Sequence, residues 1–340
     1  MPTLLTPNDK PWLDAWQQSP AREVFAHPAY AALFEDGKTS ARALYWEGEQ
    51  GSVLYPFLLR ELRDEPFWKP EIGEGYDMAT PYGYGGPVVV SGEAGQSLFR
   101  DFYAALEQWA GDNRVITEFV RFSLFSEAPQ AYYGKVVHHN DNIVVDLSLR
   151  HDALWRGFRH KVRKNIHTAQ AAGISIEVDP TGSRLDDFLA VYHHTLDRRL
   201  ASPQYYLQRP FFQQLQQTLP GHCCYFHALH QGEVIASELV LLSATRLYSY
   251  LGGTFSESFH LRPGDLLKYH IMQWACEKGH QQFIIGGGHR PHDGIFAFKK
   301  AFAPSGIVPF FVGKKVFDGA VYAMLTSGVV RGGFFPEYRS

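Results

Sequence analysis

Cysteine is scarce in this chain of 340 residues. There are three, two of them adjacent (Cys223, Cys224) and the third, Cys276, far away. That count and spacing exclude a disulfide framework and a cysteine zinc site, and they suit a reducing compartment where free thiols sit in the core. An excess of one charge is also missing: 32 Lys and Arg stand against 35 Asp and Glu, with a pI near 6.6. A dedicated nucleic-acid binder carries a strong basic excess, so any such contact here must come from a local patch. Long apolar runs are absent as well. No stretch approaches the roughly 20 residues of a spanning helix, and the N-terminal MPTLLTPNDKPW has no apolar segment long enough for a signal peptide. The C-terminal run from Val316 to Val330 comes nearest, but Asp318 interrupts it and Lys314 and Lys315 precede it, so it reads as a terminal packing helix. A cytoplasmic protein with no integral membrane segment and no bound metal is the expectation.

What the chain has in quantity is aromatic: 18 Tyr, 25 Phe and 7 Trp. An excess of Tyr lines pockets as well as cores, because ring and hydroxyl are both useful there. The length exceeds one ordinary hydrophobic core, so two domains are expected, and the order of elements is written twice. In the first half, residues 26–36 read as helix, Ala41 to Leu62 as a hairpin turning near Glu47-Gly48-Glu49, and DMATPYGYGGP as an extended segment ending in glycines. Ser91 then caps a helix over about 94–110, and Val115 to Phe122 is a strand. In the second half, Asp186–Leu200 and Pro210–Leu219 are helical, and Cys224–Leu229 and Val234–Leu242 form a hairpin. Arg246–Gly253 extends into paired glycines, Leu266–Lys278 is a helix, and Gln282–Ile285 is a strand closing on Gly286-Gly287-Gly288. Gly85-Gly86 falls on Gly252-Gly253, and Gln108-Trp109-Ala110 on Gln273-Trp274-Ala275. Strands alternating with helices give the α/β class, and the hairpins make its sheets mixed. The boundary is expected near residue 150, giving domains 1–150 and 151–340.

Between the halves, after a strand over 139–149, an amphipathic helix is expected over 152–172. Leu154, Phe158, Val162, Ile166 and Ala169 recur on one face. His151 to Gln170 holds five Lys and Arg against one Asp, with Arg159 and Arg163 among them. Such a face is either merely solvated or a track for an anion such as a pyrophosphate or a tRNA backbone.

Several stretches resemble the Fem aminoacyltransferase family: LWRGFRHKVRKNIHTAQAAGISI, with its basic helix of the form R-x-x-x-R-x-x-I-x-x-A; TEFVRFSLF; DMATPYGYGGPVV; and LYSYLGGT, LRPGDLLKYHIMQWACEKG, FIIGGG and FAFKKAF in that order. The resemblance covers roughly residues 26–318. It implies two tandem domains of the GCN5-related N-acetyltransferase (GNAT) type, and transfer of an aminoacyl or acyl group to an amine on a peptidoglycan, polysaccharide or other cell-envelope precursor. The donor would be aminoacyl-tRNA or an acyl thioester, with no tightly bound cofactor, and the acceptor a small molecule or sugar nucleotide. Two alternatives stand beside it: an N-acyl amino acid synthase-like enzyme using acyl-CoA or acyl carrier protein, and a noncatalytic nucleotide-sugar-binding protein.

The expected site residues follow from both readings. Tyr82 and Tyr84 share strand parity in PYGYGGP, so both can face one cleft. Gly287 and Gly288 follow a short strand, where exposed N–H groups can meet an oxyanion, and His289 and His292 beside them are candidate proton carriers. Phe298 and Phe302 are an inward i,i+4 pair opening a helix. Lys299 beside them lies, by resemblance, at the acceptor site, able to stabilise a tetrahedral oxyanion. Arg121, Arg198, Tyr206 and Tyr250 are carried over as substrate contacts. The turn LRPGDL, with one glycine, Pro263 lacking an N–H and Asp265 in the approach, is a poor pyrophosphate cradle, which favours a donor other than free CoA.

Overall fold

The computed structural model describes residues 1–149, 151–288, 290, 293–329 and 332–339. The chain divides into two compact units, one of residues 1–139 with 309–340, the other of residues 140–308. The boundary expected near 150 therefore falls at 139/140, and the second half does not run on to the C-terminus. The physical reason is strand pairing: the last strand of the chain finds its hydrogen-bonding partner in the first unit.

The first unit begins with β1 (Thr3–Leu5), α1 (Lys10–Gln18) and α2 (Pro28–Ala32), then the hairpin β2 (Thr39–Gly48) and β3 (Gly51–Glu61). β4 (Tyr76–Ala79) and β5 (Val88–Gly92) follow, then α3 (Gln96–Asp112), β6 (Val115–Arg121), α4 (Ala128–Ala131) and the start of β7 (Lys135–Asp146). Residues 26–36 make only the short α2, which Pro28 opens and His27 caps. Ser91 does not cap α3. It is a residue of β5, paired with Ser52 in register and through its hydroxyl at 2.8 Å, and the helix starts after Gly95.

β4 and β5 both pair antiparallel with β3, at Leu58–Glu61 and at Gly51–Leu54. Between them residues 80–87 part from β3, opposite a stretch of it that contains Pro56. A proline is tolerated there because its missing N–H faces no partner strand on that side. Buried Tyr55, Phe57, Phe99, Phe102, Tyr103 and Phe122 fill the core between this sheet and α3.

The second unit receives the rest of β7, then α5 (His151–Gly157), α6 (His160–Ala171), β8 (Ser175–Asp179), α7 (Leu185–Arg199) and α8 (Arg209–Thr218). The hairpin β9 (Cys223–His230) and β10 (Glu233–Leu242), β11 (Arg246–Thr254), α9 (Pro263–Glu277), β12 (Gln282–Gly286) and α10 (Gly294–Lys300) complete it. β13 (Ile307–Val316) and α11 (Gly319–Thr326) close the chain. β13 pairs antiparallel with β6 over Val312–Val316, inside the first unit. The second unit's sheet runs β7-β12-β11-β10-β9-β8. Only β11·β12 is parallel in it, as only β4·β6 is among the strands leading up to β6 in the first. Helices, hairpin, strand, helix and strand thus recur in both units, an α/β architecture with mixed sheets. Among the described residues no helix is long and apolar enough to cross a membrane.

The basic stretch is two helices, not one. Arg159 has extended backbone (φ −59°, ψ 148°), and its N–H donates to Ala301 O at 2.9 Å. Phe158 is anchored in the core between Tyr269 and Phe302. The Arg163 guanidinium donates to the carbonyls of Trp155, Arg156 and Phe158, at and just past the end of α5.

Candidate functional site

β11 and β12 are joined over only three residue pairs, Arg246↔Gln282 to Tyr248↔Ile284. From Ser249 onward β11 keeps β10 alone as a described partner, and at Tyr250 the ladder slips by one residue, since Leu239 pairs Leu251 and Val240 pairs Ser249. Such a bulge bends its strand and turns side chains off the sheet. The parting strands leave a cavity of about 450 Å³, which lies wholly within the second unit. Its walls are β10 and β11, the end of α7, the first turns of α9 and the face of α10 that carries Lys299.

Two of its wall residues are glycines of necessity. A Cβ on Gly253 would stand 1.8 Å from Thr195 Oγ1 and 3.1 Å from Val191 O, so α7 can lie this close only over a glycine. A Cβ on Gly252 would stand 2.4 Å from Ser237 O. The first-unit glycines aligned with them work differently: Gly86 has φ +90°, a backbone state that glycine adopts freely. There, the gap is also closed. Gly85 bridges in parallel to Phe122, and Tyr84 packs its ring against Phe25 and Phe310. Tyr82 and Tyr84 therefore do not share a cleft: Tyr82 is exposed, with Arg121 5.6 Å from its ring centre, while Tyr84 is a packing residue.

Of the residues singled out from sequence, Lys299, Tyr250 and Arg198 line the cavity together. The Lys299 ammonium donates to Gly287 O at 2.8 Å, so this glycine presents a carbonyl to the site. Gly287 and Gly288 are packing glycines; added Cβ atoms would meet Asp141 O at 2.5 Å and Asp293 Oδ1 at 2.4 Å. Phe298 is more than a third exposed and lines the cavity, so only Phe302 of the expected inward pair is buried. Arg198 lies over the Phe259 ring at 4.8 Å. Tyr206, whose hydroxyl donates to Asp197 at 2.8 Å, is not a wall residue. Neither are Arg159 and Arg163. His289 and His292 lie outside the described residues.

Sequence reading missed the centre of the site. Glu238 and Lys268, 6% and 7% exposed, form an ion pair at the cavity wall, and Lys268 Nζ also donates to Ser249 Oγ at 2.7 Å. The signal was available: one carboxylate inside VIASELVLL and one ammonium inside LLKYHIM, each in a mostly apolar run. Four cations (Arg198, Arg199, Lys268, Lys299) line the cavity with this single carboxylate. Burial, and then the nearby Lys268 charge, push the Lys299 ammonium down to about 8. Burial also lowers Lys268, against the opposing pull of Glu238. Asp265, in the first turn of α9, accepts from Asn165 of α6 at 3.1 Å, and burial raises it to about 6. Its carboxyl is thus tied to α6, not free in the approach to that turn as the sequence reading had it. Among the described residues, no group of three or more His, Cys, Asp or Glu is placed to hold a metal ion.

Residues 156–300 match the family model for the acetyltransferase (GNAT) domain, a span inside the second unit that contains the whole cavity. No curated protein matches the sequence. Among solved structures, FemX is similar at 12% identity over 95% of this chain and 99% of its own, with a TM-score of 0.70. L-PGS from Bacillus licheniformis is similar at 14% identity over 94% and 96%, with a TM-score of 0.55. A tandem GNAT protein from the clavulanic acid biosynthesis pathway is similar at 13% identity over 94% and 99%, also at 0.55. Residues 156–300 are thus similar to the acetyltransferase (GNAT) domain, and along most of its length the chain has the fold seen in FemX and in that tandem GNAT protein.

Proposed function

We propose that the chain is an acyltransferase that moves an aminoacyl or acyl group from an ester or thioester to an amine, with the chemistry in the cavity where β11 and β12 part. The observation that carries this is the partly buried Lys299 ammonium on the wall of that cavity, within the stretch that matches the acetyltransferase (GNAT) domain model. An amine lone pair attacks the carbonyl carbon, and the C=O π pair moves onto oxygen. Collapse re-forms C=O and expels the alkoxide or thiolate, which takes up the proton that nitrogen loses. Negative charge thus develops on the carbonyl oxygen midway. A fixed ammonium in a water-poor site stabilises that charge more than it stabilises the neutral ground state.

An aminoacyl-tRNA ester is the donor this reading favours. The end of α5, the turn after it and α6 expose Arg156, Arg159, Lys161 and Lys164 with no acid among them, a surface suited to a polyanion. Pro263, at the first position of α9, removes one of the N–H groups that a CoA pyrophosphate uses. The acceptor is an amine of a cell-envelope or polysaccharide precursor, and the cations Arg198 and Arg199 suit an anionic one. A second reading, an acyl thioester on an acidic carrier protein, draws on the same basic surface and on Asp265 being turned against Asn165.

The test uses tRNA charged with radiolabelled amino acids and, in parallel, radiolabelled acetyl-CoA, with hydroxylamine as the amine. Hydroxamate should form faster with one donor than without protein. Lys299→Ala should lower kcat about 10²–10³-fold, and Lys299→Arg should rescue it poorly, because a planar fork does not replace a point charge. A change confined to KM would leave Lys299 only a ground-state contact, and unchanged kcat/KM would remove it from the site.

A further inference from the structure

The Glu238–Lys268 pair needs a reason. Burying two charges costs several kcal/mol each before their attraction offsets it, and an apolar pair of similar volume would hold β10 to α9 at least as well. The pair sits at the cavity wall, not deep in the core, and it ends on a hydroxyl. Ser249 follows the last β11 residue joined to β12, is half-buried, and lines the cavity. Lys268 Nζ donates one proton to Glu238 Oε1 and one to Ser249 Oγ, and it lies 5.3 Å from the centre of the Phe283 ring. Ser249 Oγ is therefore an acceptor towards Lys268, and its own proton points elsewhere. Among the described residues it donates to no protein group.

We propose that Ser249 is a catalytic hydrogen-bond donor to the oxygen on which charge develops, and that Lys268 and Glu238 are positioning residues that fix and polarise its hydroxyl. This rests on the acyl-transfer reading above and adds a second donor to Lys299 at the same cavity. A hydroxyl that accepts from an ammonium becomes a stronger donor through its own proton, because each bond of a chain polarises the next. The direction of the chain is set by Glu238. Its carboxylate pairs with Lys268 and opposes the effect of burial, which sets Lys268 as a donor towards Ser249. That polarity separates the arrangement from a serine–lysine nucleophile, in which a neutral amine must take the serine proton. The donor forms no covalent bond. In the step written above it holds the C–O⁻ of the tetrahedral intermediate and lets it go as C=O re-forms. The charge near Lys299 agrees with the geometry: Lys268 is close enough to help lower it.

The experiment is the same hydroxylaminolysis, run on wild type, Ser249→Ala, Ser249→Thr, Lys268→Met and Lys299→Ala, with intact-mass spectra taken during turnover. Ser249→Ala should lower kcat about 10²-fold while KM moves less than about threefold, since the contact forms only in the transition state. Ser249→Thr, which keeps the hydroxyl, should restore most of that loss. Lys268→Met should lower kcat in wild type but add little on top of Ser249→Ala, because both act through one proton. Unchanged kcat in Ser249→Ala, with Lys299→Ala still impaired, overturns the donor role and leaves the acyl-transfer reading standing. An acyl adduct on Ser249 overturns it in favour of a nucleophile. If wild type forms no hydroxamate from either substrate, the reading and the inference fall together.

Discussion

Removing the Lys268 ammonium isolates what the buried pair does for the fold. Lys268→Met keeps the unbranched stem and its volume within α9 but leaves the Glu238 carboxylate without its ion-pair partner. An uncompensated buried charge of this kind costs about 3–5 kcal/mol. That is a large share of the ~5–15 kcal/mol by which domains are ordinarily stable. Glu238→Leu combined with Lys268→Met replaces both charges by apolar groups and should return stability to within about 1 kcal/mol of wild type, or above it. The coupling between the two substitutions, the double-variant change less both single losses, is then opposite in sign to those losses and larger than either. Because the chain has two compact units, a global melt mixes their transitions. Hydrogen exchange of β10 and α9 peptides, read by mass spectrometry alongside urea unfolding, follows the second unit alone.

A loss under about 1 kcal/mol at pH 7, or a double variant as unstable as the sum of its parts, would refute the buried-pair argument.

Other outcomes follow from single contacts. Arg163→Ala should destabilise α5 by about 1 kcal/mol, seen as faster exchange over 151–158, because it removes the cation that caps three carbonyls. Arg159→Glu should instead leave the fold intact and weaken binding of uncharged tRNA, with an effect that shrinks as salt rises; unchanged filter binding at low salt would make α6 only a solvated face. Gly253→Ala should cost about 1–3 kcal/mol in urea unfolding, since the new methyl must displace Thr195 or α7 itself. Asp265, raised to about 6, is present in its stabilising neutral form below the unfolded pKa of about 3.9 and loses that stability as pH rises through 6. Asp265→Asn should thus stabilise the chain at pH 8 by about 2–3 kcal/mol and change little at pH 4, as thermal melts at the two pH values would reveal.

Local patterns were legible in the sequence because they are written in neighbours along the chain. The β2–β3 and β9–β10 hairpins, α3, α7, α8 and α9 declared themselves by apolar period and turn residues, and their repeated order gave the mixed α/β fold. Lys299 was singled out because FAFKKAF, near a glycine run, resembles the Fem family's F-K-x-x-F element. What the sequence could not give depended on partners distant in the chain. β13 looks like any terminal strand until β6 claims it, and with it the last 32 residues pass to the first unit. The period of 152–172 is unbroken, yet Ala301 and the core around Phe158 split it into α5 and α6. Ser91 has the chemistry of a cap, but strand register with Ser52 takes it. Glu238, Ser249 and Lys268 are 11 and 19 residues apart on three elements, so no spacing rule links them. Composition and periodicity fixed which faces are apolar. Only the parting of β11 from β12, a matter of where a bulge lets one strand leave another, decided which polar groups share a cavity.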